Sequence, residues 1–249
     1  MILDKGIMEI QLTSRAAESS PLIYARVAGV LYPILAILGG FAQFFVRQNL
    51  IVPGNASATI NKIMASESLF RIGFVGDLIG QVIFVLLVLV LYMLLKPVNQ
   101  THALLMVIFA LVGVPIAMLN LLNQFAVLIL LNGADYLTAF EADQLHSIAM
   151  LFLDLQIAGI TIAQIFWGLW LFPLGYLVFK SGFLPKILGI LLMIGCFGYV
   201  LDSVTYFLLP NFEATISQFT FIGELLLPLW LLIKGVDAEQ WQERSLESA

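Results

Sequence analysis

Six apolar runs, each long enough to cross a bilayer, leave little room in this chain for any other fold. A helix needs about 20 residues to span the hydrocarbon core. The runs extend from Arg26 to Val46, Arg71 to Leu95, His102 to Leu131, Ser147 to Phe179, Leu184 to Leu209 and Ala214 to Ile233. With 61% of 249 residues hydrophobic and 11% charged, the chain has too few charges to cover a water-facing surface. Runs of this length match a membrane helix, which pairs its backbone polar groups within its own segment. The expectation is an all-α polytopic membrane protein with six transmembrane helices in one bundle. Residues 1–23 form a polar N-terminal segment, 24–236 the transmembrane domain and 237–249 a C-terminal tail.

The lipid bilayer is the one partner that composition demands. No basic block and no aromatic–basic interleaving points to nucleic acid. Oligomeric state is not legible. Cys196 has no second cysteine to pair with and is expected to be a buried packing residue. Residues 1–20 lack an apolar stretch beside a basic one, so no cleaved signal peptide is expected. With six spans, both termini share a side. Eight of the eleven Lys and Arg residues fall there, and only Arg47, Lys62 and Arg71 fall on the other. The positive-inside bias then predicts cytoplasmic termini.

Local signals refine the outline. The fourth run is too long for one untilted crossing, and Glu141, Asp143 and His146 cluster at its start. After a turn at Pro53-Gly54, a short helix is expected with Ile60, Ile63 and Met64 on one side and a cap at Asn55 or Ser57. It is either an amphipathic lid or, by default, a connector packed on the bundle. Pro33, Pro115, Pro173 and Pro228 are expected to kink their helices. The Gly76–Gly80 step suits close helix approach. Trp241 is a candidate interfacial anchor on a tail expected to be a solvated end.

The informative feature is the charge left inside. Twelve of the sixteen acids fall outside the runs, whereas Asp77, Asp154, Asp202 and Glu224 lie within them. No Lys or Arg lies deep in a run to neutralise them. A charge at the centre of a membrane helix costs about 2.5–3.5 kcal/mol on insertion scales, so each acid needs a reason. In the topology above, all four sit toward the outer face. Gln43, Asn120, Asn123 and Gln124 follow the same pattern, and Gln81 lies one turn from Asp77 on the same face. Gln164 is the main exception. This layout predicts an outward-facing polar cavity above an apolar inner half. Its candidate ligand-binding residues are Gln43, Asp77, Gln81, Asn120, Asn123, Asp154, Asp202 and Glu224.

An internal repeat accompanies the acids. Phe74-Val75-Gly76-Asp77-Leu78 matches Phe221-Ile222-Gly223-Glu224-Leu225, and Leu151-Phe152-Leu153-Asp154-Leu155 matches more loosely. Three related helical hairpins are one way to read it.

Acids so placed have three open roles. They bind a small cation or polar ligand, with ion- or proton-coupled transport as a variant. They serve an intramembrane enzyme through carboxylates or a divalent metal. Or they only hydrogen-bond between helices in a structural bundle. Enzyme markers are absent: there is no HExxH, GxSxG, GxGxxG or CxxC pattern. No catalytic residue, cofactor or metal ligand set is assigned. His146 is expected to be a solvated loop residue, although Asp143 lies one turn away. Tyr199 and Tyr206 flank Asp202 at helical spacing, within reach to hydrogen-bond it. Trp167 and Trp170 are expected to pack or face lipid.

Three stretches carry a family resemblance. The first is Tyr24-Ala25-Arg26-Val27-Ala28-Gly29-Val30-Leu31-Tyr32. The second is Ser66-Glu67-Ser68-Leu69-Phe70-Arg71-Ile72-Gly73-Phe74, with Leu95-Lys96-Pro97-Val98-Asn99 where that run ends. The third and most specific is Gly175-Tyr176-Leu177-Val178-Phe179-Lys180-Ser181-Gly182-Phe183-Leu184-Pro185-Lys186-Ile187-Leu188-Gly189. Gly133-Ala134-Asp135-Tyr136-Leu137 also fits. From Tyr24 to Val236 the chain resembles the bacterial membrane family catalogued as domain of unknown function 4386. The resemblance implies a multi-pass protein of a bacterial inner membrane and brings no activity or site residue with it.

Overall fold

A computed structural model of the chain describes residues 2–133, 135–209, 212 and 214–247, with the backbone alone for 2–20. The side chains expected of the polar N-terminal segment therefore lie outside the described residues. The described residues are helical and contain no strand. Helix α1 (Ile2–Gly40) runs through a π-helical segment, Phe41–Arg47, into α2 (Gln48–Leu50). Next come α3 (Ala56–Ala65), α4 (Glu67–Leu95), α5 (Gln100–Leu131) and a 3-10 turn, Asp135–Ala139. Then follow α6 (Ala142–Leu169), α7 (Leu171–Ser181), α8 (Lys186–Leu208), α9 (Ser217–Thr220), α10 (Ile222–Ile233) and α11 (Ala238–Glu247).

Five helical stretches are individually long and apolar enough to cross a membrane: Pro21–Leu50, Glu67–Leu95, Gln100–Leu131, Ala142–Ser181 and Lys186–Leu208. A sixth is counted when Ser217–Ile233 is joined to Ala238–Glu247 across a 104° bend. At 1.5 Å per residue, Ser217–Ile233 rises roughly 25 Å, slightly less than the hydrocarbon core. The chemistry of the outer face agrees. Along α4, Ile72, Val75, Ile79, Val82, Leu86 and Leu89 form an exposed apolar stripe, while Gly73, Gly76, Gly80, Phe84 and Leu87 are buried. Water does not favour so much exposed hydrocarbon, and lipid does.

The ends of these helices are set by local chemistry. The Asn55 side chain accepts from the Ala58 N–H at 2.9 Å, which selects it over Ser57 as the cap of α3. Asn99 caps α5 by accepting from the His102 N–H at 2.9 Å. Glu141 and Gln144 form a reciprocal capping box at the start of α6. Gly182, with φ of 82°, turns the chain out of α7 in a conformation that a side chain disfavours.

The main helices form a closed ring. Helix α1 packs on α4, α4 on α5, α5 on α6, α6 on α8, α8 on α10, and α10 returns to α1. The overlong fourth run is resolved by a break at Trp170, three residues before Pro173. Proline removes one backbone donor and crowds the preceding turn, which separates α6 from α7. Pro33, Pro115 and Pro228 instead lie within unbroken helices. Beyond the break, α7 packs on α4, α5 and α8. Its Leu171, Leu174, Leu177 and Val178 are fully buried in the larger apolar cluster with Leu91, Leu94 and Met106. A smaller cluster lies at the other end, where Ile60 and Ile63 of α3 join Val46, Phe70, Val127 and Leu153. Helix α3 is thus a connector packed on the bundle. Met64, expected on its buried side, is 56% exposed.

Two further expectations are corrected. The Gly76–Gly80 step makes no close helix crossing: a Cβ at Gly76 would meet nothing within 4 Å. Close approach occurs elsewhere, at Gly175 and Gly189, where a Cβ on the first would lie 2.6 Å from the carbonyl oxygen of the second. The tail is not merely a solvated end. It folds as α11, and the Trp241 indole N–H donates to the Leu94 carbonyl at 2.7 Å. Leu94 is in the last turn of α4, whose carbonyls have no partner within the helix. Cys196 is buried and free, as a packing residue should be.

Candidate functional site

The helix ring encloses a cavity of about 380 Å³ between the two apolar clusters. Every member of the ring contributes to its wall: Tyr32 and Gln43 from the first stretch, Asp77 and Gln81 from α4, Asn120 from α5, Trp167 from α6, Tyr199 from α8 and Glu224 from α10. Ala36, Gly39 and Gln43 in that wall are exposed, so the cavity is open at that place. Trp170, at the break between α6 and α7, lines it too. Its ring meets Phe84 edge-on at 5.1 Å and lies 6.2 Å from Tyr32.

Five of the eight candidate residues share this cavity: Gln43, Asp77, Gln81, Asn120 and Glu224. Asn123 Nδ2 donates to the Asn120 side-chain oxygen Oδ1 at 2.9 Å. Asn120 itself donates to the Gln156 backbone carbonyl at 2.8 Å, in space left open by Gly159. Asp154 and Asp202 lie outside the cavity. Asp154 is on an exposed face of α6, away from the ring's interior. Asp202 accepts the backbone N–H groups of Ile216 at 2.5 Å and Ser217 at 3.0 Å, so it tethers the chain entering α9. It lines a separate pocket of about 300 Å³ with Gln164 and Tyr206. Tyr199 lies near Asp202, as its spacing suggests, but directs its hydrogen bond to Glu224.

The expectation that no basic residue neutralises the buried acids also needs correction. Arg47 enters the cavity wall, and its Nη1 donates to Asp77 Oδ2 at 2.5 Å. Its Nε donates to Gln43 Oε1 at 2.9 Å. The first stretch continues to Leu50, beyond the Val46 limit expected from hydropathy, and so carries Arg47 with it. The signal was present as Gln43 and Arg47 four positions apart at the end of an apolar run.

Glu224 has a different environment. The Tyr32 hydroxyl donates to its Oε2 at 3.0 Å. The Tyr199 side chain approaches the same carboxylate, whose Oε1 is shielded from solvent, and Gln81 Oε1 is buried with no hydrogen-bond partner among the described residues. No basic residue among the described ones pairs with Glu224. Tyr32, Phe84, Trp167, Trp170 and Tyr199 were not singled out as ligand contacts, because an aromatic residue in an apolar run carries no mark distinguishing a cavity from a packed core.

Histidine chemistry is peripheral. His102 stacks on Tyr176 at 4.1 Å, and its Nδ1 lies 3.0 Å from Asn99 Oδ1. His146 is half-buried, with Nδ1 shielded and unpartnered among the described residues, rather than solvated. Among those residues no three His, Cys, Asp or Glu side chains converge to hold a metal ion.

A family model described as a domain of unknown function (DUF4386) matches residues 27–235. An uncharacterized protein of Archaeoglobus fulgidus is 32% identical over 161 residues, covering 65% of this chain and 82% of the archaeal one. No solved structure matches the chain.

Proposed function

This chain belongs to the DUF4386 family, whose description states no activity, so its role is read from the cavity, and we propose that the cavity binds a small cation or polar ligand within a multi-pass membrane protein. The observation that carries this is Glu224, an acid in the wall of an open cavity with no basic partner among the described residues. A buried carboxylate without a counter-charge is costly, and a ligand that pairs with it recovers that cost. The positive-inside bias supports cytoplasmic termini, with the cavity facing outward.

A second reading, coupled transport, is favoured by the π-helical segment Phe41–Arg47. It supplies Gln43 and Arg47 to the cavity wall directly after the Gly39–Gly40 pair. π-helical turns concentrate at functional positions, and a wall built on one is suited to move. Chemistry by paired carboxylates has less support, since Asp77 is held by Arg47.

The test is a thermal-stability screen of the purified full chain against inorganic cations and small polar metabolites. The proposal expects a stabilising compound whose effect is lost in Glu224→Gln and kept in Asp154→Asn. A screen in which every stabiliser acts equally on Glu224→Gln would refute it. Labelling of Asn55→Cys and Glu239→Cys from either side of intact cells tests the orientation, with only the first expected to react from outside.

A further inference from the structure

We infer that the cavity takes an organic ammonium ion that keeps at least one N–H and carries an apolar body. This rests on the reading that the cavity holds a ligand, and it names the class.

Charge sets the first condition. Of the two acids in the wall, Asp77 is neutralised by Arg47, whose guanidinium is also held by Gln43. Glu224 has no basic partner among the described residues, so a single positive charge is what the wall lacks.

Hydrogen bonding sets the second. Glu224 Oε2 accepts from Tyr32 and the Tyr199 side chain approaches the same carboxylate, while Gln81 Oε1 in the same wall has no donor among the described residues. An acceptor without a donor and a carboxylate without a counter-charge together call for a cation with N–H groups. A quaternary ammonium brings charge but leaves Gln81 Oε1 unpaired, which keeps the desolvation cost in place.

The lining sets the third. Tyr32, Phe84, Trp167, Trp170 and Tyr199 bring aromatic rings into the wall. Ring faces attract cations, and partial desolvation in the cavity strengthens that attraction. A hard metal ion instead takes six or more oxygen ligands, and the wall offers one unpaired carboxylate among rings. A volume of about 380 Å³ is that of a small organic molecule's site.

The experiment uses the purified full chain and four probes: 2-phenylethylammonium, its N,N,N-trimethyl analogue, neutral 2-phenylethanol and magnesium chloride. Binding is read from the thermal shift and, independently of any variant, from tryptophan fluorescence, since Trp167 and Trp170 line the site. The primary ammonium should bind at least about tenfold more tightly than the trimethyl analogue and the alcohol, because only it makes a charge-assisted hydrogen bond. Glu224→Gln should weaken the primary ammonium by at least about tenfold. Equal or tighter binding of the trimethyl analogue, the alcohol or magnesium, with dependence on Glu224, overturns the ligand class and leaves the site standing. Ammonium binding that Glu224→Gln does not alter overturns the site itself. If that variant does not fold, an unchanged tryptophan signal in the wild type at saturating ammonium overturns the inference. Failure of the ammonium to bind at its solubility limit overturns it as well.

Discussion

Tyr32 and Glu224, 192 positions apart in sequence, meet across the cavity through a 3.0 Å hydrogen bond from phenol to carboxylate. The bond joins the first helix of the ring to the last, and so helps close the ring. Tyr32→Phe keeps the ring but removes the donor, leaving both Glu224 oxygens without a protein hydroxyl from that helix. A loss of about 1–3 kcal/mol in unfolding free energy is expected, the range for a buried acceptor left unsatisfied. Denaturant unfolding in detergent checks it, and a change below the measurement error would show that the bond contributes nothing.

Arg47 and Asp77 are nearly buried, with side chains 11% and 15% exposed. Removing one partner of such a pair strands a charge. Arg47→Ala or Asp77→Ala should each cost about 3–5 kcal/mol, while the double variant should cost less than the sum of the two. A double-mutant cycle on thermal or denaturant stability reads the coupling directly. Additive losses would mean that the pair is not coupled.

Two glycines should behave oppositely. Gly76 has open space where a Cβ would go, so Gly76→Ala should be neutral or stabilise by up to about 1 kcal/mol through helix propensity. Gly175 faces the Gly189 carbonyl across the α7–α8 crossing. Gly175→Ala there should cost about 1–3 kcal/mol through overpacking. The two melting temperatures, measured side by side, decide the matter.

Trp241 holds α11 against the end of α4. Trp241→Phe removes the indole donor to the Leu94 carbonyl and should cost about 1 kcal/mol. Hydrogen exchange should rise in Ala238–Glu247 with little change inside the ring. Unaltered exchange in that helix would argue against the clamp.

Helix positions were legible because apolar length is a local property. The second run was expected to end at Leu95, and α4 does. The polar side of the bundle was legible too, since Asp77 and Gln81, one turn apart, must share a face. The repeat pointed to the cavity in part. Its two close copies deliver Asp77 and Glu224 to one cavity, and the looser third copy leaves Asp154 exposed. Depth along a helix follows from residue count. Facing depends on how each helix is rotated in the ring, and a single apolar run with one acid does not specify that.

From the sequence alone came the all-helical architecture, its long apolar spans and the concentration of polar groups within them, because apolar runs of about 20 residues match the length of a helix that crosses lipid with its backbone groups paired internally. Only the tertiary structure decided which acids are paired. It brought Arg47 to Asp77, Tyr32 to Glu224 and the Ile216 N–H to Asp202. These are contacts across 30, 192 and 14 positions, and they depend on helix rotation, on the break at Trp170 and on the π-helical turn before Arg47. That pairing, rather than the count of buried acids, leaves Glu224 as the acid of the cavity wall without a basic partner among the described residues.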